Sequence, residues 1–140
     1  MKRFILVIGA VLMLNCNVLA DDNFNISNTL SDYSIENSRF IAITKNKNNF
    51  NIASNGEASC YGYTKTISGY KAMVKAELQK YNLGWKTIKS WSSTGGITAA
   101  ISQSYYVTKG KYRLKVTHYA LNSNGTIIES STTYSDSIVY

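Results

Sequence analysis

The amino-acid sequence predicts an all-β protein: an antiparallel β-sandwich of about eight strands, with two sheets packed in the immunoglobulin- or fibronectin-like manner. A closed β-barrel is the alternative. Three observations predict this class. Apolar and polar residues alternate with a period of two through one short run after another. Tight-turn residues separate the runs at Asn55-Gly56, Ser68-Gly69, Asn82-Leu83-Gly84, Lys109-Gly110 and Asn122-Ser123-Asn124-Gly125. Strand-favouring aromatic residues are abundant, eleven of them Tyr, and little of the chain is left for helix.

The elements follow in order. Phe40-Ile41-Ala42-Ile43-Thr44 is a short β-prone run that ends in a polar turn, Lys45-Asn46-Lys47-Asn48-Asn49. Residues 50–54 lead into Asn55-Gly56, a strong hairpin signal because both positions tolerate positive φ. Glu57–Thr66 continues with Ala58, Cys60, Tyr61 and Tyr63. In Lys71–Tyr81, Ala72, Val74, Ala76 and Leu78 alternate with Lys71, Lys75, Glu77 and Gln79. The composition of that stretch also suits a helix, but a repeat of two selects strand. Within 85–91, Trp85, Ile88 and Trp91 stand three apart, which a regular strand cannot place on one face, so a bulge or strong twist is expected. Residues 92–96 read as a flexible loop. In 97–107, Ile97, Ala99 and Ile101 alternate with Thr98, Ala100 and Ser102. Lys111–Leu121 is the cleanest strand, with Tyr112, Leu114 and Val116 facing in and Lys111, Arg113 and Lys115 facing out. Residues 126–134 and a short tail to Tyr140 complete the set. The chain has no Pro, so its sheet edges need other protection, which Lys on outer faces supplies.

Residues 1–20 read as a secretory signal peptide: Lys2 and Arg3, an apolar run over 4–14, then Val18-Leu19-Ala20 with cleavage between Ala20 and Asp21. The run is too short for the roughly 20 residues that span a bilayer. Cys16 offers a second reading, a lipid anchor, although Asn15 stands where lipoprotein signals carry a small residue. Export makes the protein secreted or extracellular. Residues 21–38, which hold Asp21, Asp22, Asp32 and Glu36, read as a polar acidic arm or linker, with an edge strand folded back onto the domain as the alternative, and the β-domain occupies 39–140. Without the leader, Cys60 is the one remaining thiol, so the mature chain has no intramolecular disulfide and holds together through its core. Cys60 is expected to be buried.

The blocks Asn55-Gly56-Glu57-Ala58, Leu78-Gln79-Lys80-Tyr81, Trp85-Lys86-Thr87-Ile88-Lys89-Ser90-Trp91 and Gly110-Lys111-Tyr112-Arg113 resemble a group of small secreted proteins of unknown function from Gram-positive bacteria. The resemblance covers about 85 residues. It implies a leader-bearing, single-domain β protein and carries no activity with it.

Catalytic signals are weak. Cys60 and His118 are the only Cys–His pair, but Cys60 sits mid-strand without the cationic setting that activates a thiol, and His118 shares the phase of Tyr112, Leu114 and Val116, as a half-buried sheet histidine would. No G-x-S-x-G, phosphate loop or metal-ligand spacing occurs, so neither a cofactor nor a metal is expected. Paired-carboxylate hydrolysis would have to draw on Glu57, Glu77, Glu129 and Asp136, and Glu77 reads as a solvated charge beside Lys75. A small secreted hydrolase is therefore a minor alternative.

Binding is better supported. From Phe40 onward the chain has twelve Lys or Arg and four Asp or Glu, a net of +8. Lys111, Arg113 and Lys115 project from one face of one strand at intervals of about 7 Å, and Trp85, Trp91 and Tyr106 are candidate aromatic contacts. These six residues are the expected ligand-binding set. The expected partner is an anionic cell-wall polymer, a glycan or a membrane surface, attracted by summed charge; export argues against nucleic acid. A membrane-active protein, pore-forming or bacteriocin-like, is the other alternative, because 92–107 is small-residue-rich and alternating.

Overall fold

The computed structural model describes residues 41–140. The signal peptide with its Ala20–Asp21 cleavage point, Cys16, and the acidic arm 21–38 lie outside the described residues. Eight antiparallel strands form two sheets: β1 (Ile43–Ile52), β2 (Glu57–Thr66), β3 (Lys71–Tyr81), β4 (Trp85–Thr94), β5 (Thr98–Tyr106), β6 (Lys111–Leu121), β7 (Ile127–Tyr134) and β8 (Ile138–Val139). The first sheet has the order β1-β2-β5. The second has the order β4-β3-β6-β7, with β8 paired to β6. The expected sandwich is therefore the observed fold, and the barrel alternative falls because the two sheets do not close into one.

Three strands, β2, β3 and β6, have the bounds that alternation assigns, since each has one buried and one solvated face. The first strand corrects the expectation. The Lys45–Asn49 stretch is not a turn; it is the middle of β1, which pairs with β2 from Ile43↔Thr66 to Ile52↔Ala58. Likewise β4 runs on to Thr94 through most of the expected loop, and the crossover is confined to Gly95, Gly96 and Ile97. There Ala72 N donates to Gly96 O and Gly95 N to Ala72 O, at 2.7 and 2.9 Å.

The Asn55-Gly56 hairpin forms as expected, with Gly56 at φ +87°. An added Cβ there would also meet the Val107 carbonyl oxygen at 2.8 Å. Asn122 closes the β6–β7 turn: its side-chain oxygen accepts from Asn124 N and Thr126 N at 3.0 and 2.9 Å.

The core lies between the sheets and is asymmetric. The inner face of β2 is built of small residues, Ala58, Cys60, Gly62, Thr64 and Thr66, all buried. Bulk comes from the facing sheet through Val74, Leu78, Tyr112, Leu114 and Val116. A Cβ at Gly62 would come within 3.0 Å of Val116 and 3.1 Å of Val74, so glycine sets how closely the layers approach.

The chain order places β1, β2 and β5 in one sheet, as constant-type immunoglobulin domains do, but β4 lies beside β3 instead of β5. A second trait of such sandwiches is present at the start of β6, where the Tyr112 hydroxyl donates to Thr108 O at 2.8 Å, the geometry of a tyrosine corner. The inter-sheet disulfide is not. β2 carries Cys60 as a free, buried thiol, and Leu114 stands two residues beyond the corner tyrosine, where the second cysteine would be.

Candidate functional site

The six residues expected from sequence do not form one site. Lys111, Arg113, Lys115 and Trp85 do share the outer face of the second sheet. The expected bulge in β4 is present, with Ile88 unpaired where Leu78↔Lys89 gives way to Gln79↔Thr87. It re-phases the strand so that the two tryptophans part: Trp85 stands with Tyr81 outside, and Trp91, opposite Ala76, packs half-buried against the core. Tyr106 belongs to the outer side of the other sheet, at the end of β5, where it is paired with Glu57 and 67% exposed.

On the second sheet the outward charges already have partners. Lys75 and Lys115 hold Glu77 at 3.4 and 3.3 Å, and these are the ion pairs among the described residues. Partial burial pushes the Glu77 carboxyl up, but the two ammonium groups outweigh it and leave the pKa below the ordinary value. Glu77, expected as a solvated charge beside Lys75, is thus paired with Lys75 and also with Lys115, and its side chain is only 14% exposed. Arg113 lies between Trp85 and Tyr134, its guanidinium carbon 4.3 Å from each ring centre, and donates from Nε to Gln79 Oε1 at 2.9 Å.

The first sheet presents a different outer face, and sequence reading missed it. The register sets its residues in rows across β1, β2 and β5: Lys45, Lys65 and Thr98; Lys47, Tyr63 and Ala100; Asn49, Tyr61 and Ser102; Asn51, Ser59 and Ser104. Rows two residues apart are about 7 Å apart, so the face grades from cationic through aromatic to neutral hydrogen-bonding groups and ends in the acid Glu57 opposite Tyr106. Small residues on β5, Ala100 and Ser102, flank the tyrosines. Two hollows adjoin Tyr61. One, of about 320 Å³, is lined by Asn49, Ser59, Ser102 and Ser104 together with Cys60 and Gln103. The other, of about 200 Å³, is lined by Lys45, Lys47, Tyr61 and Tyr63. Lys45 and Lys65 face each other directly across the strand pair, and neither has a carboxylate within 4.0 Å among the described residues. Like charges placed opposite in a sheet cost stability.

The remaining reactive groups are structural. His118 is fully buried, not half-buried as expected, because it lies between the layers; its Nδ1 meets Thr64 Oγ1 at 2.8 Å and its Nε2 meets Thr133 Oγ1 at 3.0 Å. Both ring nitrogens are thus occupied, which leaves none for Cys60. Burial pulls the imidazole down to about 4 and pushes the Cys60 thiol up to about 12. Glu129 reaches across the layers, its Oε2 accepting from Ala42 N and Ile43 N at 2.6 and 3.0 Å at the start of β1. The small-residue stretch 92–107 is the end of β4, the crossover and β5, all within the sandwich.

Comparison of the chain with family models, with curated proteins and with solved structures finds no match.

Proposed function

We propose that the protein is an exported, non-catalytic binding module that holds an anionic, sugar-containing polymer of the cell surface on the outer face of the β1-β2-β5 sheet. The observation that carries this reading is the Lys45–Lys65 cross-strand pair, with Lys47 beside it and no acidic partner among the described residues. A strand pair that sets two ammonium groups opposite each other is relieved when an anion lies between them. The neighbouring rows suit the rest of such a polymer: Tyr61 and Tyr63 offer ring faces to a sugar, and Asn49, Ser59, Ser102 and Ser104 offer hydroxyl and amide groups to its hydroxyls. The leader-like residues 1–20 support an extracellular setting, which also argues against nucleic acid as the partner.

The test is retention of the mature protein on an immobilised acidic polysaccharide. Binding that is strong at low salt and lost at high salt is expected, because exposed charges are screened over about 10 Å at 0.1 M salt. Retention that does not change with salt would overturn the reading.

A further inference from the structure

The second sheet carries a feature that the polymer face does not explain. We propose that Arg113 is a separate receptor for a single oxyanion group, a carboxylate or phosphate that presents two oxygens. The proposal does not rest on the polymer-binding reading, since it concerns the opposite face of the sandwich.

The cation is held before any ligand arrives. Trp85 reaches it from β4 and Tyr134 from β7, each ring centre 4.3 Å from the guanidinium carbon. Gln79, paired with Arg113 in the β3–β6 register, accepts from Nε at 2.9 Å. Tyr81 buttresses Trp85 edge-on, with ring centres 5.4 Å apart and planes at 68°. With Nε engaged, the end-on pair Nη1 and Nη2 remains, and neither has a hydrogen-bond or carboxylate partner among the described residues. That pair matches the two oxygens of a carboxylate or phosphate, the geometry that gives arginine its bidentate contacts.

The surroundings favour an anion. Lys111 is the next outward residue along β6, its ammonium 6.0 Å from the Tyr81 ring centre. The acid nearest in the register, Glu77, is already held by Lys75 and Lys115. The rings displace water from around the cation, which strengthens its interaction with a counter-charge. A long side chain fixed in advance loses little freedom on binding, so the oxyanion gains more from each contact.

Tryptophan emission provides the readout, because Trp85 touches the cation. Inorganic phosphate and, separately, acetate are titrated into the mature protein at constant ionic strength with chloride as the balancing anion. A saturable change is expected with at least one of them, kept in Trp91→Phe, which removes the tryptophan packed against the core, and weakened tenfold or more in Arg113→Lys, which keeps the charge and loses the fork. The acetate and phosphate arms show which oxyanion is preferred. A change that never saturates, or an equal midpoint in Arg113→Lys, overturns the proposal. Should Arg113→Lys fail to fold, side-chain ¹H–¹⁵N spectra decide the matter: the mature protein has two arginines, Arg39 and Arg113, and Arg39→Lys leaves Arg113 as the one source of these signals. Its Nη signals shift saturably with the anion if the proposal holds, and stay in place if it does not.

Discussion

The two outer faces of this sandwich are both basic, yet they treat charge in opposite ways. On the β4-β3-β6-β7 face the cations are engaged within the fold: Glu77 bridges Lys75 and Lys115, and Arg113 rests against Trp85 and Tyr134. On the β1-β2-β5 face Lys45 confronts Lys65 with no acid beside either among the described residues. A count of lysines along the chain treats the faces alike, whereas the register separates them. Net charge tells how strongly a protein attracts anions in general, and pairing tells where a broad anionic ligand gains most.

That difference can be broken or sharpened by substitution. The largest effect is expected from Lys45→Gln, Lys47→Gln and Lys65→Gln together. At about 1 kcal/mol for each lysine near an anionic surface, the triple variant loses roughly a hundredfold in affinity for an acidic polysaccharide. Lys75→Gln with Lys115→Gln, on the paired face, changes it less than threefold. Equal losses in the two variants, measured by affinity chromatography or calorimetry, would erase the distinction.

Both faces depend on one scaffold, whose weak point is acid. The folded His118 imidazole is held near 4 against an ordinary 6.5, so the unfolded chain takes the proton first. Stability is then complete above about pH 6.5 and falls as the pH drops toward 4, by about 3 kcal/mol. Glu77, with its lowered pKa, adds a loss in the same direction at more acidic pH. Denaturant melts at pH 7 and pH 4 measure this, and His118→Gln should flatten most of the slope between them. An unchanged slope in that variant would show that the buried imidazole is not the group responsible.

Tyr61→Ala should weaken polysaccharide binding by about five- to tenfold, the worth of one aromatic contact, with no change in unfolding free energy beyond about 1 kcal/mol. Tyr112→Phe should do the reverse: it removes the corner hydrogen bond to Thr108 O and costs about 1 kcal/mol of stability while binding is kept. The smallest effect on stability is expected from Glu77→Gln, under about 1 kcal/mol. That variant frees Lys75 and Lys115 and should make the second face bind anions a few-fold better, so the faces become more alike.

Much of the fold was legible in the sequence because β2, β3 and β6 lie next to the core, where one face of each strand must be apolar or small and the other solvated. β1 escaped for a physical reason. It is an edge strand whose outward residues include Lys45, Lys47 and Asn49, and two of its inward residues, Asn46 and Asn48, are also polar. Asn48 donates to Leu114 O at 3.3 Å and to Thr133 Oγ1 at 3.4 Å, so it joins the same buried hydrogen bonds as His118. Polar residues on both sides leave no hydrophobic alternation to read. The lysine pair of the candidate site went unseen with it, since Lys45 and Lys65 meet only through the β1–β2 register. Arg113 and Trp85 were both singled out, but their contact needs β3 to lie between β4 and β6. The opposite facing of Trp85 and Trp91 needs the location of the bulge at Ile88. Neither is local information.

Backbone amide shift mapping of the mature protein with a uronic-acid oligosaccharide tests the central claim most directly. Perturbations are expected to cluster at Lys45, Lys47, Tyr61, Tyr63, Lys65 and Ser102, and to fade as salt is raised. Perturbations confined to the β4-β3-β6-β7 face, or spread evenly over both, would contradict the account.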